Sequence, residues 1–206
     1  MAKLHFYYSA MNAGKSTALL QANHNYQERG MDTLLFVPRI DNRFGVGKIT
    51  SRIGLQAEAL SIDEAFNLYS HIEQALSGNS NIHCILIDEA HFLSRDQVMQ
   101  LSNVTDILNI PVLAYGLRSD FRGEPFEGSL YLLALADILT EIKTVCHCGK
   151  KATMNLRIDD EGRPVRQGPK VEIGGNERYV ATCRKHHKLG EVVSNPAKRQ
   201  LKITFE

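Results

Sequence analysis

Ser9-Ala10-Met11-Asn12-Ala13-Gly14-Lys15-Ser16-Thr17 follows the apolar run Leu4-His5-Phe6-Tyr7-Tyr8 and leads into Ala18-Leu19-Leu20-Gln21. Strand, tight loop and helix start, in that order, are the setting of a phosphate-binding loop. The free N–H groups of a helix's first turn, together with its dipole, cradle an anion. Gly14 lets the backbone approach a phosphate, Lys15 reaches toward the β- and γ-phosphates, and the Ser16 hydroxyl is placed to ligate Mg²⁺. The usual pattern has glycine where Ser9 stands, and serine is small enough for that turn if its φ is negative. The plain alternative, an N-capped helix with a surface lysine, explains the letters but not their context.

At 206 residues and 43% apolar, the chain can bury a real core and amounts to one domain plus at most a small second one. Lys and Arg number 24 against 23 Asp and Glu, a net +1, so no strongly basic balance marks a dedicated nucleic-acid surface. The chain enters a strand pattern directly, with no leader-like segment and no apolar run near 18 residues. A soluble cytoplasmic protein is expected, not a membrane partner. Four cysteines in such a chain suggest metal or free thiols before disulfides.

Working outward from the loop, the helix should run to about Gln27 and stop at Gly30. Thr33-Leu34-Leu35-Phe36-Val37 reads as a buried strand closed by Pro38. Residues 40–47 form a turn-rich loop whose charges either reach the phosphates or are simply solvated. Ser61-Ile62-Asp63-Glu64 spells a capping box ahead of an apolar stripe at Ile62, Ala65, Phe66, Tyr69, Ile72 and Leu76, predicting a helix that ends near Gly78. Ile82-His83-Cys84-Ile85-Leu86-Ile87 is a strand finishing in Asp88-Glu89, as in a second nucleotide motif where an acidic residue ends a buried strand beside the loop. Asp88 would hold Mg²⁺, and Glu89, one residue further out, is placed to serve as a base. Cys84 is most simply a core residue.

Ser94 should cap a helix carrying Val98, Leu101, Val104 and Leu108, followed by a fourth strand at residues 111–115. Residues 117–128 read as a long loop with Phe121 and Phe126 among charges, either a substrate wall or a loop pinned to the core by its rings. A helix over residues 131–136 and a last strand over residues 139–145 complete an α/β fold, a mostly parallel sheet with helices on both faces.

Cys146-His147-Cys148-Gly149 and Cys183-Arg184-Lys185-His186-His187 bracket a Gly- and charge-rich region, with 34 residues between Cys148 and Cys183. Two ligand pairs on tight turns make a tetrahedral sulfur and nitrogen zinc site, although the first pair is spaced by one residue where two to four is usual. His147 and His187 are rival ligands or exposed neighbours. Four protein ligands would make the zinc structural, closing a lobe poor in apolar residues. Within it, residues 154–158, 171–173 and 178–182 resemble strands, whereas residues 163–170 show no pattern and suggest a tethered lid.

The phosphate loop, Leu86-Ile87-Asp88-Glu89-Ala90-His91-Phe92, residues 115–123 and residues 174–186 together closely resemble the cytosolic, zinc-containing thymidine kinase family, in the same order and spacing from about Lys3 to His187. The resemblance implies a P-loop NTPase (RecA-like) fold with a zinc-bound lasso domain. It implies transfer of the γ-phosphate of ATP to the 5′-hydroxyl of thymidine, with deoxyuridine accepted, in a homotetramer inhibited by dTTP. Glu89 falls on the catalytic base, and residues 9–17, Asp88, Ala90, His91 and Arg43 on the ATP and phosphate site. Ser16, Asp88 and Asp41 fall near magnesium. Met11, Phe92, Leu117, Phe121 and Tyr179 match the wall around the base, and Lys170, Val171, Glu172, Ile173 and Gly174 the lasso that bonds thymine through its backbone. Zinc falls on Cys146, Cys148, Cys183 and His186. The expected boundaries are 1–143 for the ATP-binding domain, 144–191 for the lasso and 192–206 for a tail.

Asp88-Glu89-Ala90-His91 also spells the letters of a DEAH-type helicase. Such motors use two ATPase lobes, and this chain has room for barely one. A non-catalytic zinc module binding through Arg178, Arg184, Lys185 and Lys188 is the other rival, and it leaves the phosphate loop without a purpose.

Overall fold

The computed structural model describes residues 1–40, 47–170 and 178–192. In chain order the described elements are β1 (Leu4–Ser9), α1 (Lys15–Gln27), β2 (Asp32–Pro38), β3 (Lys48–Thr50), β4 (Gln56–Glu58), β5 (Leu60–Ile62), α2 (Leu68–Gly78), β6 (Ile82–Ile87), a 3₁₀ turn (Ala90–Phe92), α3 (Arg95–Asp106), β7 (Val112–Leu117), α4 (Glu127–Leu135), β8 (Ile138–Glu141), β9 (Thr144–Val145), β10 (Lys151–Ala152), β11 (Met154–Ile158), β12 (Pro164–Val165), β13 (Tyr179–Thr182) and α5 (Arg184–Leu189). None of the described helices is long and apolar enough to cross a membrane.

Six parallel strands form the main sheet in the order β5-β2-β6-β7-β1-β8. Parallel strands need both faces covered, and the strand sequences provide for that. Along β6, Ile85 and Ile87 face a core shared with α2 and α3, while Cys84 and Leu86 face a second core with Leu19 and Leu20 of α1. Period-two alternation thus buries both sides of one strand. Ile49, from the β3–β4 hairpin, completes the α1 side.

Several expectations about elements need correction. The Ser61 capping box does not start a helix: Leu60–Ile62 pairs with Phe36–Pro38 at the sheet edge, and α2 begins at Leu68, where the Asn67 side chain accepts from the Ser70 N–H. Gln97 Nε2 donates to the carbonyls of Asp63 and Phe66, which fixes the intervening turn and withholds those groups from a helix. The strand expected over residues 139–145 is divided, because β8 leaves β1 after Glu141 and Thr144–Val145 pairs instead with Lys151–Ala152. Residues 131–136 are only part of α4, which starts earlier, at Glu127. Finally, Pro164–Val165, in the stretch that shows no pattern, is a short strand on β11. The Ser94 capping box is present with Gln97, although α3 ends at Asp106, before Leu108.

β7 stands between β1 and β6, so the loop-bearing strand and the acid-bearing strand are not neighbours. Their carboxyl ends nevertheless open on the same edge, because Ser9 pairs with Leu117 and Ile87 with Ala114. Beyond that edge lies the lobe of β9 to β13 and α5.

Candidate active site

At the end of β1 the chain turns through Asn12 at φ 63 and Gly14 at φ 86, then enters α1 at Lys15. A Cβ on Gly14 would meet nothing within 4 Å, so in this structure the left-handed backbone, rather than crowding, is what calls for glycine. Ser9 is not among the positive-φ residues, as its place in the motif requires, and its hydroxyl donates to the Ala10 carbonyl at 2.7 Å. Ser9 and Ala10 are buried behind the loop, and Lys15 is itself only 8% exposed.

The Ser16 hydroxyl bonds to the carboxylate of Asp88, which is buried at the end of β6. Burial pushes the Asp88 carboxyl up to about 7, and the neighbouring Glu89 charge adds to the rise, against the opposing pull of Ser16 and Lys15. A hydroxyl and a carboxylate in contact, beside a lysine, are the oxygen donors a hard cation takes. Such a cation would favour the ionised form that burial opposes.

Glu89 sits at φ 47, a left-handed conformation costly for a side chain of its size and the kind of strain that collects at functional sites. The 3₁₀ turn after it packs against the start of α4 at very short range. A Cβ on Gly128 would lie 2.5 Å from the Ala90 carbonyl oxygen and 2.8 Å from that of Leu93. His91, 2% exposed, accepts the Leu117 N–H on Nδ1 at 3.2 Å, and the same nitrogen lies 3.4 Å from Glu89 Oε2. His91 therefore sits behind Glu89, while Ala90 goes into the hydrophobic core.

Met11, Asn12, Gly14, Lys15, Ser16, Thr17, Asp88, Glu89 and His91 share one cavity of about 320 Å³ with Phe92, Leu117, Phe121, Lys170 and Tyr179. Of the expected positions, Ser9, Ala10, Ala13 and Ala90 are not on its wall. Asp41, Arg43, Val171, Glu172, Ile173 and Gly174 lie outside the described residues. Phe121 is both wall and core, since it is 1% exposed and carries the Arg157 guanidinium 4.7 Å above its ring. Lys170 donates to the Pro125 carbonyl at 2.8 Å, and its ammonium lies 5.0 Å from the Phe126 ring centre.

Sequence reading missed Asn155, whose Oδ1 accepts the Met11 N–H at 2.7 Å, and Lys48 and Arg52 of the β3–β4 hairpin, which also line the cavity. The available signal was Asn155 and Arg157 alternating along a strand pattern with Leu156 between them, which puts two polar side chains on one face.

The ligand atoms of Cys146, Cys148, Cys183 and His186 all lie within 4.8 Å of one another. His186 Nδ1 is 3.3 Å from Cys146 Sγ and 3.5 Å from Cys183 Sγ, and the Cys148 and Cys183 sulfurs are 3.9 Å apart. A tetrahedron with bonds near 2.3 Å has edges of about 3.8 Å, so three thiols and an imidazole here fit a zinc ion. The His186 backbone N–H, followed by further bonds from the cluster, holds the Cys183 thiol below its ordinary range, toward the thiolate a metal needs. The rival histidines stay outside the four-residue group, although His147 Nδ1 lies 3.7 Å from Cys146 Sγ. His147 stacks on His186 at 4.3 Å, and His187 is buried rather than exposed, with Nε2 2.8 Å from the Phe121 carbonyl oxygen.

A family model described as thymidine kinase matches residues 2–187. A thymidine kinase of Coxiella burnetii is 63% identical over 191 residues, covering 93% of this chain and 97% of the relative. One from Legionella pneumophila (strain Lens) is 60% identical over 93% of this chain and 91% of its own length. One from Salmonella paratyphi A is 60% identical over 91% of each. Among solved structures, Bacteroides Pif1 bound to ssDNA aligns with 68% of this chain and 38% of its own at 14% identity, with a TM-score of 0.33, too loose a likeness to bear on function.

Proposed function

This chain belongs to the thymidine kinase family, and on that premise we propose that it transfers the γ-phosphoryl group of ATP to the 5′-hydroxyl of thymidine, and of deoxyuridine, with Glu89 as the base. The observation that carries the assignment of roles is the single cavity in which the phosphate loop, the acidic pair and the ring wall meet. Lys15 and the N–H groups at the start of α1 hold the β- and γ-phosphates. Ser16 and Asp88 hold magnesium, which supplies charge neutralisation on the phosphates when bound with ATP. Glu89, on the wall of the cavity with its backbone held at φ 47, takes the proton of the attacking hydroxyl.

Phe92, Leu117, Phe121 and Tyr179, on the cavity wall with Lys170, enclose the thymine and exclude water, and the resemblance of the sequence alone assigns the backbone of residues 171–174 to bonding the base. Cys146, Cys148, Cys183 and His186 hold a structural zinc with no open position. The resemblance of the sequence alone assigns Asp41 and Arg43 to the phosphate side, and Ala90 and His91 support Glu89 from behind. In this reading the protein is a cytoplasmic homotetramer with an ATP-binding domain at 1–143, a lasso at 144–191 and a tail. dTTP, which carries the base and a triphosphate together, inhibits it by spanning both half-sites.

The test is ATP turnover measured with thymidine and with polynucleotide. Thymidine-dependent ADP release with dTMP as product supports the reading. Turnover that follows polynucleotide and ignores thymidine would overturn it.

A further inference from the structure

We propose that Asn155 is a positioning residue that ties the phosphate loop to the acceptor loop, so that ATP and nucleoside bind cooperatively. The inference rests on the kinase reading above. Asn155 lies on β11, outside the main sheet, and is 2% exposed. Its Oδ1 accepts the Met11 N–H at 2.7 Å, and its Nδ2 donates to the Ser119 carbonyl at 3.0 Å.

Met11 follows β1 and Ser119 follows β7, adjacent parallel strands whose chains diverge at their carboxyl ends. One goes to the phosphates, the other to the wall containing Phe121. The Asn155 amide closes the gap between them with one acceptor and one donor held in a plane. A carboxylate of the same shape has no donor, and leucine has neither function. Both partners are main-chain groups, so the amide senses the position of each loop directly.

The attachment behind Asn155 is firm. On the same strand, Arg157 lies over the Phe121 ring and donates to the Pro169 carbonyl at 3.1 Å. The Arg118 guanidinium donates to the Thr153 carbonyl at 3.4 Å, and His187 Nε2 meets the Phe121 carbonyl oxygen at 2.8 Å. A ligand that orders either loop therefore orders the amide that the other loop also needs. Because the bond to Ser119 is buried and the bond from Met11 is partly buried, moving one loop alone would weaken or break a bond that water can only partly replace. That is a coupling free energy between two sites, and it acts equally in both directions.

The experiment is calorimetric titration of the zinc-loaded protein with a non-hydrolysable ATP analogue and Mg²⁺, with and without saturating thymidine. Wild type should bind the analogue at least about fivefold more tightly when thymidine is present, and thymidine should gain the same factor from the analogue. Asn155→Leu should bring that ratio to within about twofold of one. Asn155→Asp, which keeps an acceptor for Met11 but cannot donate to Ser119, should also lose the ratio, whatever its thymidine-free affinity for the analogue. A merely structural role would lower thermal stability and leave the ratio intact.

A wild-type ratio near one, or a wild-type ratio retained in either variant, overturns the proposal. If Asn155→Leu fails to fold with its zinc, the ratio of Asn155→Asp decides. Wild-type protein that binds neither thymidine nor the analogue would instead sink the kinase reading, a result distinct from binding without coupling.

Discussion

The phosphate loop hangs from β1, whose Leu4 and Phe6 are buried in a core that also takes in Ile85, Ile87, Val98, Leu101 and Leu132. The lobe that carries Lys170 and Tyr179 has, among its described residues, a buried cluster of Cys146, Ala152 and Cys183, with Ala181 packed against it. One region is held by apolar area on both faces of a sheet. The other has its thiols where side chains of a core would be, and borrows order from its neighbour through Asn155, Arg157 and His187. Small lobes of this kind need a metal or a partner surface, because their buried area cannot offset the entropy of ordering the chain. On the function proposed above, the sheet would hold Lys15 and Asp88 without the lobe, whereas the lobe would need metal and sheet together to form the nucleoside wall.

Breaking the lobe should give the largest effect. Chelation, or Cys183→Ser, is expected to reduce thymidine phosphorylation below detection while the ATP analogue still binds at the affinity seen without thymidine. Elemental analysis with calorimetry checks this, and a zinc-free preparation phosphorylating thymidine at the normal rate would show the cysteines to be bystanders. Breaking chemistry on the sheet side comes next. Glu89→Gln should lower kcat by about 10²- to 10⁴-fold with little change in binding of either substrate. A loss below tenfold at neutral pH would move the base elsewhere. At the shared wall, Tyr179→Ala should weaken thymidine and dTTP together and spare ATP; loss of thymidine binding with dTTP inhibition untouched would place the inhibitor at another site.

Two smaller effects sharpen the contrast. Gly128→Ala drives a methyl into the carbonyls of Ala90, His91 and Leu93, all backbone, and should destabilise by roughly 1–3 kcal/mol while slowing turnover through Glu89. Gly149→Ala, in the lobe at φ 80 with open space around it, should cost only about 1–2 kcal/mol, from backbone conformation alone. Thermal melts and rates of the two variants separate overpacking from strain. Asp88 then supplies a pH test on metal-free protein. Its folded pKa, about 7, stands above the unfolded value of 3.8, so its contribution is fully present below about pH 4 and is lost as pH rises through about 7. Wild type should therefore lose stability relative to Asp88→Asn between pH 5 and pH 8, and Mg²⁺ should narrow the difference. Denaturant curves of both proteins running parallel across that range would remove Asp88 from the account.

Much of the fold was legible because its signals are local. A loop between an apolar strand and a helix, Ser94 as a helix cap, and the run from Ile82 to Asp88 each need only neighbouring residues to declare themselves. Ser61-Ile62-Asp63-Glu64 misled for the same reason: its letters satisfy a local rule, but pairing of Leu60–Ile62 with β2 and the reach of Gln97 from α3 decide the outcome. The grouping of Cys146, Cys148, Cys183 and His186 was readable from spacing and resemblance, whereas the burial of His187 against Phe121 was not.

The sequence by itself determined the strand, loop and helix around Lys15, the Asp88-Glu89 pair at the end of a strand, the two cysteine-bearing pairs and much of the alternation of strand and helix, since each depends on residue type at short spacing. Only the tertiary structure decided that β7 separates β1 from β6, that Gly128 presses on the turn behind Glu89, and that Asn155 crosses to Met11 and Ser119. Strand order follows from how both faces of the sheet are covered. A single amide reaching partners 144 and 36 positions away in the chain leaves no periodic trace, because those partners are backbone groups of a kind nearly every residue carries.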